Sequence, residues 1–232
     1  TASAHASHAY LAIYYDKNDD TKVGMVLVPC EQYVLRDDWD AMGLAATGSA
    51  TIAIEEELFV PDERYSSPQI LMDRIAERKK EGAGPRPGGL GRSIMVGTGN
   101  AVGMAEHALE LFLESIGKKP IAYSPYARQQ DAPITHINVG SVRMQINAAR
   151  RVAEAALDHI DCLYKDGRLA TPDDIVRYHA DGAYVWDTCA TAIETLFKAS
   201  GASGIAKKQP LQLVARNCRA GSLHAAHNIQ TC

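Results

Sequence analysis

The stretch ASGASGIAKKQPLQLVARNCRAGSLHAAH, residues 199–227, is the part of the chain that says most about the fold. A turn of small residues at 199–204 precedes a pattern that predicts a last helix over residues 209–227. His224 and His227 lie three residues apart near the end of this helix, and side chains at that spacing share one helix face. The stretch therefore predicts a helix that presents two histidines together.

The histidine pair has three interpretations: metal ligands, a catalytic acid or base, or two ordinary, partly exposed residues. A zinc or iron site needs a third ligand at a suitable spacing, and the sequence contains neither H-E-x-x-H nor a pair of E-x-x-H helices. We therefore predict no metal site. The spacing of His224 and His227 does not distinguish between the other two interpretations.

Three glycine-rich segments each have a structural and a functional interpretation. ASGASG, residues 199–204, is either a helix C-cap and connector or a nest of backbone N–H groups that receives a phosphate. WDAMGLAATGS, residues 39–49, is either an elaborate turn or a ligand-facing loop with hydroxyls at Thr47 and Ser49. EGAGPRPGGLGR, residues 81–92, is either a mobile lid or a surface loop.

Apolar residues recur with a helical period from residue 68 to the C-terminal stretch. Helices are predicted over residues 68–80, 93–115, 138–165 and 171–200. Thr171 is the predicted N-cap of the last of these, followed by Pro172 and two aspartates that oppose the helix dipole. The helix over 138–165 carries a predicted core stripe of seven residues: Val142, Ile146, Ala149, Ala153, Ala156, Ile160 and Leu163. The three long helices, over 93–115, 138–165 and 171–200, predict an antiparallel four-helix bundle together with the terminal helix.

Residues before position 66 have the pattern of β-strands. Short apolar runs at 9–15, 23–29, 32–37 and 50–61 are separated by turn residues and are rich in β-branched and aromatic side chains. They predict a barrel or sandwich, but they are too few to close a barrel. Because the chain also begins without methionine, we expect a preceding portion. The predicted fold class is α+β: a partial β-domain at 1–66, then a helical bundle domain at 67–232.

Composition excludes several classes of function. The formal net charge is −4, which gives no electrostatic argument for a nucleic-acid or anionic-membrane partner. No apolar run approaches the roughly 20 residues that a membrane-spanning helix needs. The five cysteines are widely spaced and form no C-x-x-C, which favours free thiols in a reducing compartment. We therefore expect a cytoplasmic protein.

Two motifs resemble the acyl-CoA dehydrogenase superfamily. WDAMGLAATGSATIAIEEELFVP, residues 39–61, is similar to that family's W-x-x-x-G-x-x-x-[TS]-x-[ST] segment, its apolar strand and the V-P that follows. Residues 199–227 are similar to its C-terminal signature, which is a Gly-rich turn followed by the last catalytic helix. The resemblance implies an acyl-CoA dehydrogenase-like fold, with the β-domain in the middle, the helical bundle at the C-terminus and an N-terminal helical domain that has no counterpart here.

The last helix separates the two chemistries of this superfamily. Dehydrogenases carry a Tyr-Glu-Gly triplet whose carboxylate removes a proton, whereas this chain has His224-Ala225-Ala226 at the matching place. Alanine cannot act as a base. The pattern R-x-x-R-x-x-S-L-H at 216–224 instead resembles the two-component flavin-dependent monooxygenases. This resemblance implies reduced flavin (FADH2 or FMNH2) from a separate reductase, O2, a C4a-hydroperoxide and the hydroxylation or N- or S-oxygenation of a small organic substrate, which we expect to be aromatic.

The resemblance also implies roles for individual residues. His224 would manage the peroxide as the catalytic histidine, with His227 as second choice. TASAHAS at 1–7 is similar to the family's S-G-x-x-H-A, which places the Thr1 hydroxyl near the flavin ring and makes His5 a further candidate, although Ala2 replaces the glycine. The remaining cofactor-binding residues would be those of two loops: Thr47, Gly48, Ser49, Ser200, Gly201, Ser203 and Gly204.

The second of these loops would receive the cofactor phosphates of a neighbouring subunit, which implies a homotetramer. Two alternatives to the monooxygenase stay open. One is an acyl-CoA dehydrogenase-like or oxidase-like flavoenzyme with a relocated base, and the other is a catalytically silent assembly subunit. The residues do not identify the substrate.

Overall fold

The amino-terminal strands form two small antiparallel sheets in the computed structural model, which describes residues 5–14, 22–82, 89–228 and 230. In the first sheet, β2 (Val23–Pro29) lies between β1 (His8–Tyr14) and β5 (Tyr65–Ser66). The second sheet pairs β3 (Val34–Leu35) with β4 (Ile52–Ala53). The residues of β2 alternate between more and less buried positions, as expected for a strand with one face on a core.

The predicted strand over residues 50–61 is wrong in length. Only Ile52–Ala53 is paired, and the three successive glutamates at 55–57 are all exposed. Successive strand residues point to opposite faces, so three carboxylates in a row would place a charge in the core. The chain therefore leaves the sheet before Glu55.

Six α-helices follow the strands in the described residues. They are α1 (Pro68–Lys80), α2 (Gly89–Val96), α3 (Thr98–Ile116), α4 (Pro133–Lys165), α5 (Pro172–Ala199) and α6 (Pro210–Ser222). The predicted N-cap of α5 is confirmed, because Thr171 Oγ1 accepts from the backbone N of Asp174 at 3.2 Å and the Asp174 carboxylate accepts from the Thr171 backbone N at 2.9 Å. α4 begins five residues before its predicted start at 138, with Pro133 in its first turn.

The predicted helix over 93–115 is two helices. α2 and α3 are separated at Gly97, and side chains bond the carbonyl groups of the last turn of α2. The Thr98 hydroxyl donates to the Met95 carbonyl at 2.6 Å, and His227 Nε2 bonds the Ile94 carbonyl at 3.0 Å. These bonds satisfy groups that a helix end leaves without an intrahelical partner.

The helical core is built mainly from α3, α4, α5 and α6, which pack against one another, with α2 against α4 and α5. All seven residues of the predicted α4 stripe are buried, so that prediction is confirmed. α5 contributes a buried row that includes Tyr178, Trp186 and Ile193. Within the described ranges, no helix is long and apolar enough to cross a membrane.

The chain divides into two compact units. The sheet unit comprises residues 1–41 and 45–84, and the helical unit comprises residues 42–44 and 85–232. By this division α1 belongs to the sheet unit, whereas the predicted boundary after residue 66 assigns it to the helical domain. The division into 1–66 and 67–232 stays a prediction.

Candidate functional site

α6 ends before both histidines of the C-terminal stretch. Its last residue is Ser222, so the prediction of a helix to residue 227 is wrong. In a continuing helix the backbone N of Ala226 would donate to the Ser222 carbonyl, but it donates instead to His224 Nδ1 at 3.2 Å. A side chain that captures a backbone donor in this way competes with the helix. Residues 223–228, which we call the histidine turn, therefore leave the helix.

His224 is exposed at the start of the histidine turn. Because its Nδ1 accepts the Ala226 N–H, the neutral imidazole carries its proton on Nε2. The Nε2–H group is the donor that remains for another molecule. The structure thus presents the predicted catalytic histidine at the surface of the helical unit with a defined tautomer.

His227 lies inside the helical unit, half-buried. Its ring stacks on Trp186 with 5.3 Å between ring centroids and 26° between planes, and its Nε2 bonds the Ile94 carbonyl. Burial lowers the pKa of His227, and the nearby His224 and His179 lower it further, while the bond to Ile94 acts in the opposite direction. The two histidine rings are 5.4 Å apart between centroids, but they occupy different environments.

Glycines create the space for this packing. A Cβ at Gly97 would lie 2.5 Å from His227 Cε1, and a Cβ at Gly221 would lie 2.3 Å from Trp186 Cζ3. Either methyl group would force the ring to move. The histidine turn and the indole beneath it therefore depend on two positions that have no side chain.

The turn at 200–204 borders a cavity of about 340 Å³ in the helical unit. Gly201 has φ +68°, a conformation that favours glycine, and the Gly204 N–H donates to its carbonyl at 2.9 Å. The structure brings together three of the four predicted residues here, since Ser200, Ser203 and Gly204 all line the cavity.

Two lysines that the sequence reasoning missed also line this cavity. Lys118 and Lys119 follow α3, and Lys119 Nζ donates to the Ser200 carbonyl at 3.0 Å. Burial lowers the pKa of Lys119. The sequence does show two adjacent lysines in GKKP, residues 117–120. However, only the fold brings them next to residues 200–204, which lie some 80 positions later in the chain. The cavity combines hydroxyl groups and two cationic side chains with one carboxylate, that of Glu114, and the hydroxyls and lysines suit an anion.

The predicted cofactor loop of the sheet unit has a polar surface. The hydroxyls of Thr47 and Ser49 lie 3.2 Å apart, both residues are half-buried, and Gly48 between them has φ +51°. His5 is exposed in the same unit, and Thr1 lies outside the described residues. A group of three or more His, Cys, Asp or Glu side chains that could hold a metal ion is absent from the described part of the chain.

The two motifs that resemble the acyl-CoA dehydrogenase superfamily meet in the helical unit. Gly43 packs so closely on α6 that a Cβ there would lie 2.2 Å from the Arg216 carbonyl oxygen. The Leu44 N–H donates to Asn217 Oδ1 at 2.8 Å, and the Arg216 guanidinium donates to the Met42 carbonyl. The glycine of the W-x-x-x-G segment is thus required for this close approach of two backbones.

Comparison with known proteins identifies similar chains among oxygenases. The oxygenase subunit HsaA of a flavin-dependent monooxygenase from Mycobacterium tuberculosis is 27% identical over 208 residues, which are 88% of this chain and 52% of the relative. A pigment production hydroxylase from Rhodococcus erythropolis is 26% identical, over 87% of this chain and 51% of its own length. The chain spans about half the length of the relatives it matches.

Solved structures share the fold. XiaF from Streptomyces sp., in complex with FADH2 and glycerol, superposes with a TM-score of 0.88 at 25% identity, over 99% of this chain and 59% of XiaF. The 3-HSA hydroxylase from Rhodococcus sp. has a TM-score of 0.82 at 26% identity, over 98% of this chain and 58% of the hydroxylase. The family model of the acyl-CoA dehydrogenase C-terminal domain matches residues 95–229, more than half of the chain. The chain therefore belongs to the family of acyl-CoA dehydrogenase C-terminal domains.

Proposed function

We propose that this chain belongs to the oxygenase component of a two-component flavin-dependent monooxygenase. The component would use reduced flavin and O2 to hydroxylate, or to N- or S-oxygenate, a small aromatic substrate. The observation that carries the proposal is His224, whose Nε2–H is exposed and whose tautomer is fixed by the Ala226 N–H. The similarity to an oxygenase subunit and to a structure that contains FADH2 supports the same conclusion.

The residues beside His224 argue against dehydrogenation. Ala225 and Ala226 carry only methyl side chains, so neither can remove a proton from a substrate carbon. The imidazole of His224 can donate a hydrogen bond or a proton to an oxygen atom. This chemistry suits oxygen transfer, in which a proton must be held at the reacting oxygen.

The residues of two loops fit a flavin nucleotide. The cavity beside residues 200–204 places hydroxyls and the ammonium groups of Lys118 and Lys119 where they suit phosphate, and these two positive charges outnumber the one carboxylate, that of Glu114. Thr47, Gly48 and Ser49 supply a separate polar surface, in the sheet unit, that would lie near this chain's own flavin, whereas residues 200–204 would meet the phosphates of a neighbouring subunit's cofactor. Reduced flavin, when bound, supplies the two electrons with which one atom of O2 enters the substrate while the other leaves as water. The chain's own part is to bind the cofactor and to hold a proton at His224 Nε2.

The resemblance to the family implies several further features. The sheet unit would be part of a middle β-barrel or sandwich domain, 1–66, and residues 67–232 would form an antiparallel four-helix bundle domain. Thr1 would lie near the flavin ring, with His5 as a further candidate. Residues 200–204 would serve the cofactor of a neighbouring subunit in a homotetramer. A separate reductase would supply reduced flavin in the cytoplasm.

A reconstituted assay tests the function. The protein is combined with a flavin reductase, NADH, FAD or FMN and a panel of phenols, indoles and thiophenes, and oxygenated product and H2O2 are measured per NADH consumed. We expect product from the unaltered protein. We expect about 100-fold less from His224→Ala, with the electrons lost to H2O2, because general acid–base catalysis contributes at least that factor.

His107→Ala is the matched control, because His107 is an exposed histidine on α3 whose ring bonds only its helix neighbour Glu110 in the described residues. It should leave the product yield unchanged. Flavin reduction by an acyl-CoA without any oxygenation would replace the proposal with a dehydrogenase that has a relocated base. Absence of flavin binding would favour an assembly subunit.

A further inference from the structure

The backbone hydrogen bonds from Leu223, His224 and His227 in the histidine turn are local. The backbone of the turn is joined by the bonds from Leu223 N to the Ala220 carbonyl and from His224 N to the Gly221 carbonyl, at 3.3 and 3.1 Å. A third bond, from His227 N to the His224 carbonyl at 2.8 Å, lies within the turn. These bonds, between residues three apart, hold the local shape and join the turn to the end of α6, and attachment to α2 and α5 requires a further contact.

The side chain of His227 supplies that attachment. One face of the ring stacks on Trp186 of α5, and Nε2 bonds the Ile94 carbonyl at the end of α2. Since a carbonyl oxygen only accepts, Nε2 must carry the proton. The edges of the ring face Gly97, whose Cβ would lie 2.5 Å from Cε1, and Gly182, whose Cβ would lie 3.8 Å from Cδ2.

The carbonyl that His227 bonds is available because α2 ends there. Ile94 lies in the last turn of α2, where carbonyl groups have no intrahelical partner. His227 therefore satisfies a helix end and joins three elements: α2, α5 and the histidine turn. The half-buried ring lies between an indole and two glycines, which hold it in one orientation.

We propose that His227 is a positioning residue for His224. It anchors the histidine turn to α2 and α5, and through the backbone between residues 224 and 227 it fixes where the His224 imidazole stands and which tautomer it adopts. This inference rests on the proposed function for the reaction that His224 serves, but the anchoring itself does not. A displacement of about 1 Å of a catalytic group can lower a rate about 100-fold, so such an anchor affects the reaction without touching the substrate.

Two substitutions at His227 separate anchoring from simple bulk. His227→Leu fills much of the slot but has no donor for the Ile94 carbonyl, whereas His227→Gln has an amide N–H at about the reach of Nε2. We expect His227→Leu to lower product per NADH about tenfold or more and to raise H2O2 correspondingly, with His227→Gln restoring part of the yield. His107→Leu is the control for loss of a histidine elsewhere.

NMR of 15N-histidine-labelled protein provides a readout that does not depend on activity. In the unaltered protein His224 should show a single tautomer, protonated at Nε2, with its Nδ1 coupled to the Ala226 amide proton. In His227→Leu, with the helices still folded by circular dichroism, we expect a mixture of tautomers and loss of that coupling. If His227→Leu does not fold, Gly97→Ala displaces the ring with the histidine retained and should change His224 in the same way.

The two experiments fail in distinguishable ways. An unaltered protein that does not oxygenate any substrate, yet whose His224 tautomer depends on His227, would overturn the proposed function and keep the anchor. An active protein in which His227→Leu leaves both the product yield and the His224 spectrum unchanged would overturn the anchor alone.

Discussion

The α4–α5 pair and the α6 segment with its histidine turn are held in place by different kinds of contact. α4 buries a row of seven apolar residues at helical spacing, so its position follows from a repeated pattern. α6 also buries an apolar face, but α6 and its histidine turn depend in addition on single close contacts: a backbone against Gly43, an indole against Gly221, and the His227 imidazole against Gly97. A repeated pattern distributes its stabilisation over many residues, whereas each single contact can be removed by one substitution. The two regions should therefore differ in how they respond to mutation.

The largest effect on stability is expected in the α4 stripe. Ile146 is fully buried, and Ile146→Ala should lower the free energy of unfolding by about 2–5 kcal/mol, because it removes apolar surface and leaves a cavity. Urea unfolding followed by circular dichroism measures the change. Met144→Ala on the same helix is the control, since Met144 is 65% exposed and should change the free energy by less than about 0.5 kcal/mol. Equal effects of the two substitutions would contradict the assignment of the buried face.

A glycine substitution tests the single contacts of α6. A Cβ at Gly43 would lie 2.2 Å from a backbone oxygen, which cannot move as a side chain can, so Gly43→Ala should cost about 1–3 kcal/mol. It should also shift α6 and lower oxygenation, because the bonds from Leu44 to Asn217 and from Arg216 to Met42 depend on the same approach. Gly99→Ala is the control, since nothing lies within 4 Å of a Cβ there.

A Gly43→Ala protein that is as stable and as active as the unaltered one would contradict this difference between α6 and α4. α6 would then be placed by its apolar face alone, as α4 is. Leu211, Val214 and Cys218 are the buried residues of that face.

A smaller effect is expected at the start of α5. Thr171 forms a capping box with Asp174, and its loss in Thr171→Ala should destabilise the protein by about 1 kcal/mol. Backbone and side-chain bonds from Thr171 also lower the pKa of Asp174. Thr191→Ala, at an exposed position within α5, is the matched control and should stabilise the protein by up to about 0.7 kcal/mol, because alanine has the higher helix propensity. Thermal unfolding of the two variants gives the comparison, and equal melting temperatures would show that the box contributes nothing.

The difference between the two regions also explains which features the sequence could predict. The α4 stripe and the Thr171 cap follow from local rules of spacing and capping, and both were predicted with the correct residues. The end of α6 was not, because it depends on a bond from His224 Nδ1 to Ala226 and on a slot formed by residues from α2 and α5. The break at Gly97 has the same origin, since a glycine in a helical pattern does not reveal which ring will lie against it.

The candidate site follows the same division. His224 and the residues at 200–204 were found from the sequence through a resemblance. Lys118 and Lys119 were not, because they reach the cavity only through the packing of the α3–α4 connection against the end of α5. The burial of His227 could not be predicted from the sequence either, because its spacing from His224 predicts a shared helix face and not two different environments.

The smallest predicted effect is a pH dependence of stability that originates in the histidine turn. Burial lowers the pKa of His227 in the folded state below its value of about 6.5 in the unfolded chain. As the pH falls below about 6.5, the unfolded chain therefore binds the proton more readily than the folded protein does. The stability linked to this group is therefore present above that pH and is lost as the pH falls towards the folded pKa.

Urea unfolding of the unaltered protein and of His227→Gln at pH 7.5 and pH 5.5 measures the effect, because other titrating groups are common to both. We expect the unaltered protein to lose more stability than the variant on acidification. A larger loss in the variant would mean that the ring is not buried as a neutral imidazole, and the contrast between the two histidines would then disappear.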